Sequence, residues 1–144
     1  MKTVYKVRAL VLDKKGRAYG ITGDADHVLQ LPGGSRKASE CPVKALHREM
    51  REELGYRVKV LGTAGDIKVK RNGVREVTTC YVVRITGGKG KPKLTGREKA
   101  RGLKATRYES PKALRKALSE RVTAYGRTAA RRDLKLTTAA LKAV

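Results

Sequence analysis

Residues 34–56, GSRKASECPVKALHREMREELGY, hold Glu40, Glu49, Glu52 and Glu53, four of the chain's 13 acidic residues, in a sequence that carries 35 Lys and Arg. On a helix Glu49, Glu52 and Glu53 stand at i, i+3 and i+4, where like charges repel unless a cation neutralises them. Carboxylate oxygens are the ligands that hard divalent cations such as Mg2+ or Mn2+ take. With helical residues about 100° apart, Val43, Leu46, Met50 and Leu54 form an apolar stripe. Glu49 and Glu53 fall beside that stripe, and Glu52 lies one step further round. Acids that served solubility alone would occupy the opposite side. A cation site is the sharper reading; the competing one is a salt-bridged helix face, with Arg48 four residues before Glu52.

The surrounding spacing decides between them. Gly34, five residues, Glu40, seven residues, Arg48-Glu49-Met50, one residue, Glu52-Glu53, one residue, Gly55: this resembles the signature of the Nudix hydrolases, G-x5-E-x7-R-E-U-x-E-E-x-G-U, with U bulky and aliphatic. Every position matches except the last, where Tyr56 stands for an aliphatic residue. From average residue usage, a chance match in a chain this long is on the order of one in ten million. Leu31-Pro32-Gly33 also resembles the family's usual lead-in, and EKARG (98–102) and RRDL (131–134) resemble stretches of some bacterial members.

The resemblance implies hydrolysis of a phosphoanhydride in a nucleoside diphosphate linked to another moiety. Carried over by position, Glu49, Glu52 and Glu53 hold the divalent ions, helped by the backbone carbonyl of Gly33. Arg48 orients Glu49, and Glu40 supports the site from the helix start. Glu49 or Glu52 accepts a proton from the attacking water. Some members use an acid on a later loop instead, for which Glu98 is the candidate; its plain alternative is a surface residue beside Lys99 and Arg101. Arg36 and Lys37 are placed to approach the phosphates. Metal ions bridging diphosphate oxygens would neutralise charge and align the substrate.

These residues need elements to position them. Val4–Leu12 is β-branched and aliphatic and ends at the turn Asp13-Lys14-Lys15-Gly16, with Ala18–Thr22 as the returning strand. Val28–Leu31 reads as a short strand entering Pro32-Gly33-Gly34, which reads as a loop. Asp24, Asp26 and His27 precede it as a turn. A helix is expected over Ser39–Leu54, with Ser39 as N-cap, Pro42 tolerated in the first turn and Gly55 as the stop. Tyr56–Ala64 and Val74–Ile85 read as strands, Gly87–Gly96 as a mobile basic loop, and Leu103–Tyr108 as a strand. Helices follow over Pro111–Val122, with Leu114, Leu118 and Val122 in line, and from Thr128, with Ala130, Leu134, Thr137 and Leu141 on one face. Strands around single helices indicate an α/β or α+β layered fold. The resemblance makes that a Nudix-type α/β/α sandwich with a mixed sheet, one domain over residues 1–144.

Composition sets the remaining limits. With 144 residues, no Phe, no Trp and 40% hydrophobic residues, the chain is long enough for a core built from aliphatic side chains. Its net charge of +22 attracts polyanions. Nucleic acid therefore stands beside a small nucleotide as a partner, and a homodimer is left open. Cys41 and Cys80 have no metal-ligand spacing and read as small buried or half-buried thiols in a reducing compartment. No apolar run reaches the length of a membrane span, and the expected setting is the cytoplasm. Three functions follow in order: a Mg2+-dependent (or Mn2+-dependent) pyrophosphohydrolase acting on a nucleoside triphosphate or ADP-ribose-type diester; the same chemistry on the 5′ end of RNA, including decapping; and a non-catalytic module that binds nucleotide or RNA. Tyr5, Tyr19 and Tyr81 are the aromatic residues available to a base.

Overall fold

The computed structural model describes residues 2–23, 28–125 and 128–143, so the turn assigned to Asp24, Asp26 and His27 lies outside the described residues. The chain runs β1 (Lys2–Leu12), β2 (Ala18–Gly23), β3 (Val28–Gln30), β4 (Gly33–Ser35), α1 (Pro42–Leu54), β5 (Tyr56–Arg71), β6 (Val74–Gly88), α2 (Gly96–Ala100), β7 (Lys104–Tyr108), α3 (Pro111–Tyr125) and α4 (Thr128–Ala143). The sheet has the order β3-β2-β1-β6-β5, with β4 added to β1 and β7 to β2. β1 pairs parallel with β6 from Lys2↔Val74 to Leu12↔Arg84, and the other pairs are antiparallel. The expected mixed sheet in an α+β fold is what the chain forms.

β1 and β6 are central and covered on both faces, which is why both contain continuous apolar runs, ALVL and CYVV, in place of alternation. Side chains on successive residues point to opposite faces. Val7, Ala9 and Val11 therefore pack with Ala45, Leu46, Met50 and Leu54 of α1 on one side. Leu10 and Val82 pack with Leu114, Leu118, Leu136 and Ala140 of α3 and α4 on the other. α3 and α4 thus cover one face of the sheet and α1 packs on the other.

Several elements depart from the sequence reading. Gly33–Ser35 is not a loop but β4, paired antiparallel with Lys6–Arg8; the pairing supplies hydrogen bonds that local propensity does not favour. α1 begins at Pro42, not Ser39, and its N-cap is Cys41, which caps no N–H with its side chain. Cys41 is consequently exposed, whereas Cys80 is buried. Val43 is also exposed, because the buried face comprises Ala45, Leu46, Glu49, Met50, Glu53 and Leu54. β5 and β6 extend past their expected ends into a long hairpin closed by Asn72 and Gly73, both at positive φ, the backbone that a two-residue hairpin turn requires. The buried face of α4 is set by Ala130, Asp133, Leu136, Thr137 and Ala140, with Leu134 and Leu141 half-buried. Among the described residues no helix is long and apolar enough to cross a membrane.

Candidate active site

Everything at the site is organised from α1. Its stripe of Ala45, Leu46, Met50 and Leu54 fixes the helix against β1 and β6. Register on the helix then carries Glu49 and Glu53 into the protein with it, at 9% and 3% exposure. Glu52, next to Glu53 but a step further round the helix, keeps its side chain 40% exposed.

Arg48 ties the carboxylates together. Its guanidinium donates from Nε to Glu40 Oε2 at 2.7 Å and from Nη2 to Glu40 Oε1 at 2.9 Å, a bidentate pair. Nη1 donates to Glu49 Oε1 at 3.0 Å and to Glu52 Oε2 at 3.2 Å, and Nη2 also reaches the carbonyl of Ser35 at 3.1 Å. Only a planar fork of five N–H groups makes this set of contacts. The Arg48 guanidinium, helped by the Lys37 N–H, holds the Glu40 carboxyl down to about 2. Glu40 most of all, with Glu49, pushes Arg48 above its ordinary value against the effect of burial.

Glu49 and Glu53 behave in the opposite sense. Burial raises Glu49, against the pull of Arg48. Burial pushes Glu53 up to about 8, although Arg8 and the Gly33 N–H both favour its ionised form. The Gly33 N–H donates to Glu53 Oε1 at 2.5 Å. Gly33 has φ +150° and a Cβ there would strike the Val7 carbonyl; at Gly34 a Cβ would fall on the Glu49 carboxylate. Glycine at both positions lets β4 lie directly against the acids of α1.

A buried network fixes the segment that leads into Gly33. Asp133 Oδ2 accepts the Leu31 N–H at 2.8 Å, and Arg8 Nη1 donates to the Leu31 carbonyl at 3.0 Å. Arg132 holds Asp133 through Nε at 2.7 Å. Arg8 Nε is buried with no hydrogen-bond partner among the described residues, and burial followed by Arg132 lowers the Arg8 pKa. Arg8 and Asp133 escaped the sequence reading because their partners lie 23 and 102 residues away; RRDL was visible only as a familiar stretch.

The other expected site residues are placed as follows. Glu98 lies in α2 and not on a loop before a strand. Its Oε1 accepts the Thr95 N–H while Thr95 Oγ1 accepts the Glu98 N–H, a reciprocal cap; its charge also reaches Glu53, raising it further. Arg36 lies over the Tyr5 ring at 4.6 Å, and Lys37 donates its backbone N–H to Glu40 Oε1 at 2.9 Å. Neither lines the hollow beside Glu52. That hollow, about 350 Å3, is lined instead by Arg48, Arg51, Arg57, Lys91 and Lys93 together with Glu52 and Tyr56. It opens at the C-terminal end of α1, where Gly55 stops the helix and the Lys93 N–H caps the Glu52 carbonyl at 2.7 Å.

Oxygen donors suit a hard divalent cation. As the side chains stand, no three His, Cys, Asp or Glu groups among the described residues close on a common point, because Arg48 and the Gly33 N–H hold the carboxylates individually. The donor set nevertheless fits such an ion: burial raises both Glu49 and Glu53, and Glu53, in no ion pair among the described residues, is kept protonated near neutrality.

A model of the NUDIX domain family matches residues 3–130. The chain belongs to the Nudix family. Nudix enzymes are hydrolases of phosphoanhydride bonds, generally dependent on a divalent cation such as Mg2+. No curated protein sequence matches the chain. Among solved structures, the E. coli ORF135 protein is similar with a TM-score of 0.70 at 20% identity, covering 99% of this chain and 91% of its own. A NUDIX hydrolase from Nitrosomonas europaea has a TM-score of 0.70 at 16% identity, covering 96% and 90%. A MutT protein from Methanosarcina mazei Go1 has a TM-score of 0.63 at 15% identity, covering 99% and 96%. At these identities the likeness concerns the Nudix fold, and substrate has to be argued from the site.

Proposed function

We propose that the chain is a Mg2+- or Mn2+-dependent pyrophosphohydrolase that cleaves the phosphoanhydride of a nucleoside diphosphate-linked substrate, a nucleoside triphosphate or an ADP-ribose-type diester. The observation that carries this reading is one guanidinium, Arg48, gathering Glu40, Glu49 and Glu52 at the mouth of a cationic hollow. A solvated helix face does not bury two of its acids, and a module without chemistry gains nothing from holding them there.

Glu49, Glu52 and Glu53, with the Gly33 carbonyl, would hold the divalent ions, which neutralise phosphate charge and acidify water when bound. Arg48 orients Glu49 and Glu52, and Glu40 fixes Arg48 by its bidentate pair. Arg51, Arg57, Lys91 and Lys93 face the phosphates, whereas Arg36 and Lys37, just past β4, lie outside that hollow. Glu52, the most exposed of the three acids, accepts the proton of the attacking water; Glu49 is its substitute, and Glu98, tied to Thr95, is the third candidate. The geometry disfavours Glu53 as a base, because its buried carboxyl is held by Gly33.

The test is release of nucleoside monophosphate with Mg2+ across nucleoside triphosphates, ADP-ribose and dinucleoside polyphosphates, with Glu52→Gln alongside. Turnover that is lost in the variant is the expected result. No turnover of any of these, with nucleotide binding intact in both proteins, would remove the small-nucleotide reading.

A further inference from the structure

The hollow beside Glu52 does not end at Tyr56. A second hollow of about 310 Å3 adjoins it, sharing Tyr56 and Gly88 on its lining and running over Tyr19 and Ile85 to Asp13, Lys14, Lys15, Arg17 and Arg107. Side by side, the two hollows form a trench from Glu52 of α1 to the β1–β2 turn. Each half is within the lower range of a small-molecule site, so a mononucleotide with its phosphates at Glu52 leaves the Lys14–Lys15 rim uncovered.

Basic residues are gathered on the lining of the two hollows. Five basic residues line one half and four the other, with a single acid in each. Both acids are already engaged: Glu52 by Arg48, and Asp13 by Arg17 at 2.7 Å and the Tyr19 hydroxyl at 3.2 Å. Among the described residues no ion pair engages Lys14, Lys15, Arg51, Arg57, Lys91 or Lys93. By contrast, the hollow over β1 and β6 has its Lys6 and Arg71 both paired with Glu76. At the junction of the two halves the half-buried Tyr56 meets Tyr19 edge to face, with centroids 6.0 Å apart. A groove of unneutralised cations with an aromatic ring partway along is how sequence-independent single-strand sites are built: cations track the backbone and the ring stacks a base.

We infer that the preferred substrate of this site is the 5′-triphosphorylated end of a single-stranded RNA, an inference that rests on the hydrolase reading above and narrows it. The 5′ phosphates lie at Glu52, Arg51 and Lys93, a base stacks at Tyr56, and the following backbone reaches Lys14 and Lys15. Water adds its oxygen to one phosphorus as the α–β anhydride P–O bond breaks. The bridging oxygen leaves with the other phosphorus, giving a 5′-monophosphate strand and pyrophosphate, and the water's proton passes to a carboxylate of α1.

The experiment compares a 5′-triphosphorylated ten-nucleotide RNA with the nucleoside triphosphate of its first residue, with Mg2+ at low and high salt, using wild type and Lys14→Gln/Lys15→Gln. The two lysines are exposed on a turn whose bonds run through Asp13 and Arg17, so the substitution leaves the fold intact. Expected is a kcat/KM for RNA at least about tenfold above that for the triphosphate at low salt. The double variant lowers it by about tenfold for RNA alone and flattens the salt slope by roughly 1.4, two contacts at about 0.7 each. Equal kcat/KM for the two substrates, or a variant that affects both alike or neither, overturns the inference. If neither substrate turns over, the hydrolase reading itself fails. Fluorescence anisotropy of a 5′-monophosphorylated RNA in EDTA then judges the trench separately: binding weakened by the double variant upholds it, and identical binding overturns it.

Discussion

Replacing Glu53 by Gln should stabilise the metal-free protein at neutral pH while impairing its response to Mg2+. Glu53 is 3% exposed, and burial pushes its carboxyl from 4.5 up to about 8. An acid whose folded pKa is raised binds more protons in the folded state, so stability falls as pH rises from about 4.5 to about 8 and is level above that. Each unit between these values corresponds to about 1.36 kcal/mol, so at pH 7 the ionisation costs roughly 3 kcal/mol relative to pH 4.5. Gln retains an oxygen for the Gly33 N–H and removes the charge. Urea unfolding in EDTA at pH 4.5 and pH 7, with unchanged m-values, should therefore show the stability difference between Glu53→Gln and wild type moving by about 3 kcal/mol in favour of the variant as pH rises. Excess Mg2+ at pH 7 should stabilise wild type and leave the variant nearly unaffected, an instance of stability given up for function. A pH-independent difference would refute the claim that Glu53 is a buried acid whose ionisation awaits a cation.

Other perturbations probe the parts around it. Arg48→Lys keeps a charge but loses the fork that holds Glu40, Glu49 and Glu52, and kcat/KM should fall about 10–100-fold with little change in thermal unfolding. Gly33→Ala must place a Cβ on the Val7 carbonyl at φ +150°, and should cost about 3 kcal/mol or more in urea unfolding. Asp133→Ala leaves the Leu31 N–H and the buried Arg132 unpaired and should cost about 3–5 kcal/mol, with Asp133→Asn less damaging because it still accepts from Leu31.

How much of this could be read from the residues follows from where the information lies. The acids of α1 were legible because one helix carries them all, so spacing along the chain is also spacing in the site. Its N-terminus was misplaced because Ser39 is the better capping residue, while Pro42 and the turn built by Lys37 and Glu40 set the actual start. β4 was missed because glycine disfavours strands, and only contact with β1 rewards one there. The trench was invisible for a related reason: Lys14, Tyr19, Tyr56, Lys91 and Arg107 meet only once β2, β5, β6 and β7 are assembled. In a chain with 35 cations, few of them in ion pairs among the described residues, shared position along the two hollows, not residue type, is what groups Lys14, Lys15, Arg51, Arg57, Lys91 and Lys93.

The central claim is that the carboxylates of α1 bind the divalent cation on which hydrolysis depends. Titration of Mn2+ followed by electron paramagnetic resonance, on wild type and on Glu52→Gln and Glu53→Gln, tests it most directly. The account predicts saturable binding by wild type that is weakened at least about tenfold in each variant. Binding of equal strength in all three proteins, or none in wild type with a nucleotide present, would contradict it.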